Sequence, residues 1–221
     1  MNGNKPVKIY RFPGMGADCR LYSEIKPLPG YEFVDIEWEF FPGVETLKEY
    51  ALKIIDKINI TEPFCLMGIS MGGMVCSELT DLVNPEKTVL ISSAKSANEI
   101  PPYLKKLKHL PFEKLITPLT VKKSIPALPL TLGKVSDEKY KVLKDMVLKS
   151  NVQFLQFAAK AITNWDKSEY KKEKIVHLHG TADKVLPVKY ISDAQFIKDG
   201  SHLMVWNKAQ EVNDYLQTIF G

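Results

Sequence analysis

The stretch FCLMGISMGG, residues 64–73, decides how the remainder of the chain is interpreted. Residues 64–69 are an apolar run typical of a buried strand, and the residues after Ser70 carry an apolar pattern typical of a helix. Between these two elements, Gly68, Ser70 and Gly72 form the pattern G-x-S-x-G. A serine in this setting is typical of a nucleophile elbow, whose strained turn exposes the hydroxyl. The alternative is a serine in an ordinary glycine-rich loop, because so short a pattern also occurs by chance.

The rest of the chain predicts an α/β architecture. Short apolar runs alternate with helical patterns, which indicates a mostly parallel sheet with helices on both faces. We predict six strands, at residues 7–12, 32–38, 64–69, 88–92, 174–179 and 194–198. Residues 95–166 break the alternation, because prolines there shorten the helices before two longer helical patterns appear. We therefore expect a sheet core at residues 1–94 and 167–221, with a small helical cap inserted at residues 95–166.

Composition limits the class of protein. Hydrophobic residues make up 45% of the 221 residues and charged residues 25%, as in an average soluble globular protein. The formal net charge of +4 is small, and no nucleic-acid-binding signature is present. The N-terminus has no leader-peptide pattern, and no apolar stretch reaches the length of a membrane span. The three widely spaced cysteines suggest reduced thiols, so we expect a cytoplasmic protein without nucleic acid or membrane span.

The predicted cap is the basic part of the chain. Between residues 95 and 149 there are twelve lysines and five acidic residues, a local charge of +7 that leaves −3 for the remainder. The simplest interpretation is a lysine-rich face in contact with water. The alternative is that this charge attracts an anionic substrate towards a pocket.

A serine hydroxyl is a weak nucleophile without a base, and the chain has four histidines. His202 lies in a loop after the last predicted strand, where the chain order Ser…Asp/Glu…His places the base. His177 and His179 lie in a strand pattern, and we expect both to be structural. His109 is expected to be exposed, although a position above a pocket stays open.

The acid and the oxyanion donors follow from the same order. Asp183, in a loop after a predicted strand, would orient the His202 ring, with Asp193 and Asp199 as alternatives. An oxyanion needs two backbone N–H donors. We expect one from Met71, directly after the serine, and one from Met15 in the glycine-rich stretch FPGMGAD, residues 12–18. The same stretch lacks the further glycine or the Gly-Lys-Ser/Thr run of a nucleotide-binding loop.

Four stretches in this order, FPGMGAD, GISMGG, HGTADKVLP and GSH, resemble the α/β-hydrolase superfamily over nearly the whole chain. The resemblance implies a triad of Ser70, Asp183 and His202, with Met15 and Met71 as oxyanion donors and no metal or organic cofactor. The chain departs from common members in three respects. Pro13 precedes Gly14 where many have histidine, Ile69 precedes the serine where histidine is frequent, and the leading β-hairpin is missing.

The expected activity is hydrolysis of a small-molecule carboxylic ester or thioester through an acyl-enzyme. Aromatic residues of the predicted cap either line an acyl pocket or pack among helices; they are Tyr103, Phe112, Phe154, Phe157 and Trp165. Two other functions stay open, since the superfamily also contains them. One is a ligand-binding, receptor-like homologue with little turnover, and the other is an acyltransferase or lyase with the same triad.

Overall fold

Six strands form one sheet in the computed structural model, which describes residues 5–221. Residues 1–4, which begin the N-terminal stretch without a leader pattern, lie outside the described residues. The strands are β1 (Val7–Phe12), β2 (Tyr31–Asp35), β3 (Phe64–Ile69), β4 (Lys87–Ile91), β5 (Ile175–Gly180) and β6 (Gln195–Ile197). Their order is β2-β1-β3-β4-β5-β6, and every neighbouring pair is parallel. The predicted six-stranded parallel α/β sheet is therefore confirmed: β1 and β3 have the predicted bounds, and the ends of the other strands differ by one to three residues.

The helices alternate with the strands, as parallel pairing requires. Within residues 5–221 they are α1 (Leu47–Ile54), α2 (Met71–Val83), α3 (Pro102–Lys106), α4 (Pro118–Ser124), α5 (Leu128–Thr131), α6 (Asp137–Lys149), α7 (Val152–Thr163), α8 (Met204–Asn207) and α9 (Ala209–Phe220). Helix α1 begins at a capping box, in which Thr46 accepts from the Glu49 amide and Glu49 accepts from the Thr46 amide. None of the helices in the described part of the chain is long and apolar enough to cross a membrane.

Successive strand residues point to opposite faces of the sheet, and each face has its own apolar cluster. Ile9, Met67 and Val89 belong to the cluster that contains the C-terminal helix α9. Tyr10, Leu66 and Leu90 belong to the cluster that contains α1, α2 and α7. Both clusters consist of buried residues, so the sheet is covered on both sides.

The segment between β4 and β5 joins this core unevenly. Its later part is well packed: Leu143 and Met146 of α6 enter one apolar cluster, and Phe154 and Phe157 of α7 enter the other. Between residues 102 and 131, by contrast, Ile125 is the one buried residue. The interpretation of a water-facing lysine face does not hold for Lys95, which is 1% exposed. A separate cap with boundaries at 95 and 166 stays a prediction.

Loops from several strands meet at one edge of the sheet, because carboxyl ends of parallel strands lie together. The register pairs Phe12 with Gly68 and Ile69 with Ile91 across β1, β3 and β4. The residues after β1, β3, β5 and β6 therefore emerge at the same edge. In open parallel sheets this edge is where ligands bind.

Candidate active site

Ser70 occupies a strained turn between β3 and α2. Its φ of 53° and ψ of −123° lie outside the regions that ordinary L-residues adopt. The turn is anchored on both sides, since the Ser70 amide donates to the Ile91 carbonyl (3.0 Å) and the Ser93 hydroxyl donates to the Ser70 carbonyl (2.6 Å). A side chain does not fit at Gly72, where a Cβ would lie 2.2 Å from the Phe12 carbonyl oxygen. Backbone crowding around the partly buried Ser70 therefore explains the glycines of residues 68–72.

Ser70, His202 and Asp183 form one hydrogen-bonded row. The His202 Nε2 atom lies 2.9 Å from Ser70 Oγ, and His202 Nδ1 lies 2.7 Å from Asp183 Oδ2. His202 follows β6 and Asp183 follows β5, so neighbouring strands deliver the two side chains. Their loops are joined by a hydrogen bond from the Ala182 amide to the Gly200 carbonyl, 2.9 Å long.

Asp183 lies in a buried environment that favours a carboxylate. It is 4% exposed, and its Oδ1 atom accepts from the amides of Val185 (2.8 Å) and Leu186 (2.9 Å). Burial by itself raises the pKa of Asp183, but the charge of His202 and these hydrogen bonds outweigh burial and lower the pKa below its ordinary value. The alternative acids lie elsewhere: Asp193 and Asp199 are both exposed, and Asp193 faces Lys172.

The turn after β1 is held by hydrogen bonds to the Gly14 carbonyl. The Gly14 carbonyl accepts from the Trp38 indole (3.0 Å) and from the Ala17 amide (3.1 Å). In a trans peptide the N–H points opposite to the carbonyl, so the Met15 N–H is directed away from Trp38. The hydrogen bonds of residues 5–221 include none donated by that amide. Met71 is the first residue of α2, where backbone amides have no partner within the helix.

Sequence reasoning did not identify Trp38 as part of this region. We predicted residues 32–38 as one strand, but β2 ends at Asp35 and Trp38 lies in the following loop. Its ring stacks on Phe154 (centroids 5.2 Å apart) while its indole N–H reaches Gly14. The only local signal in the sequence is an aromatic residue near a strand end. This signal does not predict a hydrogen bond to Gly14, 24 residues earlier.

The predicted pocket residues occupy different surroundings. Tyr103 on α3 is half exposed, at 50%. Phe157 is buried, with its ring stacked on Tyr50 at 5.2 Å between centroids. Trp165 is buried and donates from its indole to Glu78 on α2, 2.6 Å away. Their part in lining an acyl pocket stays a prediction.

His109 and two surface cavities lie apart from this row. His109 is exposed and borders a surface cavity of about 270 Å³ together with Lys108, Phe112 and Lys160. A second cavity is bordered by Glu78, Asp81 and Lys167. Among the described residues, no cluster of three or more histidine, cysteine or carboxylate side chains is arranged to hold a metal ion.

Comparisons with known proteins bear on the fold. No protein-family model matches this sequence, and no curated protein matches it. Solved structures do match over nearly their whole length. An esterase from Exiguobacterium antarcticum has a TM-score of 0.74 at 14% identity, covering 98% of this chain and 92% of its own. A hydrolase from Pseudomonas aeruginosa has a TM-score of 0.73 at 14% identity, covering 100% and 92%.

A thermophilic esterase from Thermogutta terrifontis has a TM-score of 0.68 at 16% identity, covering 99% of this chain and 92% of its own. Such identities show a common fold and not a common substrate. With its parallel six-stranded sheet and the turn at Ser70, the chain has the α/β-hydrolase fold.

Proposed function

We propose that the protein hydrolyses a carboxylic ester or thioester of a small molecule through an acyl-enzyme on Ser70. The observation that carries the proposal is the row Ser70 Oγ–His202 Nε2–His202 Nδ1–Asp183 Oδ2, with contacts of 2.9 and 2.7 Å. Nucleophile and base are within hydrogen-bonding reach, and a third group orients the base. Structural similarity to esterases supports the same class of reaction.

The first step is attack by the Ser70 oxygen on the carbonyl carbon of the substrate. His202 Nε2 takes the hydroxyl proton as the new C–O bond forms. The resulting imidazolium is stabilised by the Asp183 carboxylate, which also holds the proton on Nδ1 and leaves Nε2 free to accept. Asp183 remains ionised throughout, because its pKa lies below the ordinary carboxylic value.

The developing negative charge lies on the former carbonyl oxygen of the substrate. We assign its stabilisation to the backbone amides of Met15 and Met71, with the positive end of α2 adding to their effect. Removing one such donor typically costs about 10²–10³ in kcat. The side chain of Met15 is 43% exposed and that of Met71 is buried, and only their amides enter this role.

The tetrahedral intermediate collapses when His202 returns its proton to the leaving alcohol or thiol. Water then attacks the acyl-enzyme with His202 again acting as base, which releases the acid and regenerates Ser70. Apart from the substrate and water, every group in these reaction steps is a side chain or a backbone amide of this chain.

The test compares Ser70→Ala with Ser92→Ala. Ser92 is a suitable matched control because it is buried, has a positive φ of 47°, and has no hydrogen-bond partner for its hydroxyl among the described residues. We expect Ser70→Ala to lose about 10⁴-fold or more of the activity towards p-nitrophenyl esters, and Ser92→Ala to keep it. A fluorophosphonate probe should label the wild type and not Ser70→Ala.

Other results would replace the proposal. Activity retained by Ser70→Ala excludes Ser70 as the nucleophile. Saturable ligand binding without fluorophosphonate labelling favours the receptor-like alternative. A transfer product formed with an added alcohol or thiol acceptor indicates an acyltransferase, and a panel of matched esters and thioesters separates those two substrate classes.

A further inference from the structure

A buried row of polar side chains runs from the end of β4 to the loop that carries Asp183. Its first member is Lys95, which is 1% exposed and makes three close polar contacts at Nζ. These are the Glu99 carboxylate at 2.6 Å, the Ser192 carbonyl at 2.5 Å and His177 Nδ1 at 3.2 Å. An ammonium has three hydrogens, so all of them have a partner.

The row continues through two histidines of β5 that point to the same face of the sheet. His177 Nε2 lies 3.3 Å from His179 Nδ1, and His179 Nε2 lies 2.8 Å from the Leu186 carbonyl. The same His179 nitrogen is 3.7 Å from Asp183 Oδ2. A continuous path of polar contacts therefore joins Lys95 to the acid of the Ser70–His202–Asp183 row.

Proton positions along this path are fixed from both ends. The Leu186 carbonyl can only accept, so His179 carries its proton on Nε2. A neutral His179 then accepts at Nδ1, so His177 carries its proton on Nε2 and accepts at Nδ1. Lys95, an ammonium beside a carboxylate, donates to that Nδ1 atom. The Lys95 end and the Leu186 end of the row therefore require the same direction of hydrogen-bond donation, from Lys95 towards Leu186.

Both rings are neutral in this arrangement. Burial lowers the pKa of His177 well below its ordinary value, and the positive charge of Lys95 lowers it further, against the opposing effect of a backbone hydrogen bond at Ser93. Burial also lowers the pKa of His179, against the opposing effect of the Asp183 carboxylate. The titratable groups that face the two rings are therefore Lys95, Asp183, His202 and Glu99.

We propose that Lys95 and His177 are positioning residues that act through His179 to hold the turn from Asp183 to Leu186, and with it the carboxylate that orients His202. The inference rests on the proposed function of Ser70. Leu186 links the two parts, since its carbonyl accepts from His179 and its amide donates to Asp183 Oδ1. In the opposite tautomer, the lone pair of His179 Nε2 would face the Leu186 carbonyl and the Asp183 carboxylate.

The first experiment uses the wild-type protein and needs no turnover. Nitrogen-15 NMR of its four histidines distinguishes a protonated from an unprotonated ring nitrogen. We expect His177 and His179 to be neutral at pH 7 with the proton on Nε2 in both. A proton on Nδ1 of either ring, or a charged ring, overturns the proposal whether or not any variant folds.

The second experiment breaks the row at two points. Lys95→Met/Glu99→Gln removes the cation without leaving its buried partner charged, and His177→Leu removes the link. For each we expect kcat to fall about three- to tenfold, the effect of one hydrogen bond, with KM changed by less than about twofold. The downfield proton resonance of the His202 Nδ1–H should shift or broaden in parallel.

The matched control is Thr80→Val/Thr88→Val. Thr80 and Thr88 are fully buried, and their hydroxyls are 2.7 Å apart between α2 and the start of β4. This double variant should lose stability and keep kcat and the His202 resonance. Folded row variants with wild-type kcat and an unchanged resonance would refute the positioning role. The NMR measurement of the histidine rings needs no turnover. It therefore tests the proposed hydrogen-bonded row even if Ser70 proves not to be a nucleophile, and the two failures give different results.

Discussion

Strain at Ser70 gives a prediction that needs no substrate. The residue has φ 53° and ψ −123°, a conformation that costs a residue with a side chain about 1–3 kcal/mol. Glycine adopts positive φ without that cost, although it loses about 0.5–1 kcal/mol more conformational entropy than alanine on folding. Ser70→Ala and Ser70→Gly both remove the hydrogen bond to His202, so that contribution cancels between them.

The difference between the two variants therefore reports the strain. We expect Ser70→Gly to be about 1 kcal/mol more stable than Ser70→Ala, the middle of the strain range less the entropy term. For a chain of this size, that difference corresponds to a Tm about 2–4 °C higher for the glycine variant. The assay is thermal unfolding followed by circular dichroism, with urea unfolding at 25 °C as a second measure.

Ser77 supplies the matched control, because it lies within the regular helix α2 and is fully buried. There Ser77→Gly should be about 1 kcal/mol less stable than Ser77→Ala, the usual order in a helix interior. The reasoning is refuted if the glycine variant at Ser70 melts at or below the alanine variant while the Ser77 pair keeps its usual order.

Trp38, Gly72 and the two buried histidines of β5 can each be tested by a separate measurement. Trp38→Phe keeps an aromatic ring but removes the hydrogen bond to Gly14, so kcat should fall about three- to tenfold; Trp206→Phe, which removes an indole N–H without a partner in residues 5–221, should not lower it. Gly72→Ala places a Cβ 2.2 Å from a backbone oxygen and should cost more than about 2 kcal/mol in urea unfolding, whereas Gly14→Ala, with no atom nearer than 3.5 Å, should cost less than about 1 kcal/mol. The pKa values of His177 and His179 are lowered by burial from 6.5, so the unfolded chain binds protons that the folded chain does not as pH decreases through this value. The free energy of unfolding should therefore be highest well above pH 6.5 and should fall by about 1.4 kcal/mol between pH 7.5 and 5.5 for each histidine that stays neutral in the folded protein. Equal midpoints of urea unfolding at the two pH values would contradict this.

The fold could be predicted because its signals are local. Strand β3 is an unbroken apolar run, and the observed bounds, Phe64–Ile69, equal the predicted ones. Strand β2 was less well predicted, because Ile36, Glu37 and Trp38 continue the alternation of apolar and polar residues after the sheet pairing ends at Asp35. Tertiary contacts and not residue type end that strand, since the Trp38 side chain turns towards Gly14.

The residues of the candidate site were predicted from their order along the chain. Chain order alone placed an acid and a base after the last two strands, and the structure brings Asp183 and His202 together at 2.7 Å. Their roles stay predictions until activity is measured. The three candidate acids, Asp183, Asp193 and Asp199, lie within one stretch of seventeen residues, 183–199. Order placed Asp193 before the last strand, and the loop geometry separates Asp183 from Asp199.

The sequence by itself determined the alternation of strands and helices and the strained serine turn, because hydrophobic period and glycine spacing act over a few neighbouring residues. Only the tertiary structure decided that Trp38 supports Gly14 and that Lys95 is buried against His177. Lys95 and His177 are 82 residues apart, and nothing in the residues adjacent to either predicts the other. Pairing of β4 with β5 brings them together, and burial then requires each polar atom to find its partner there.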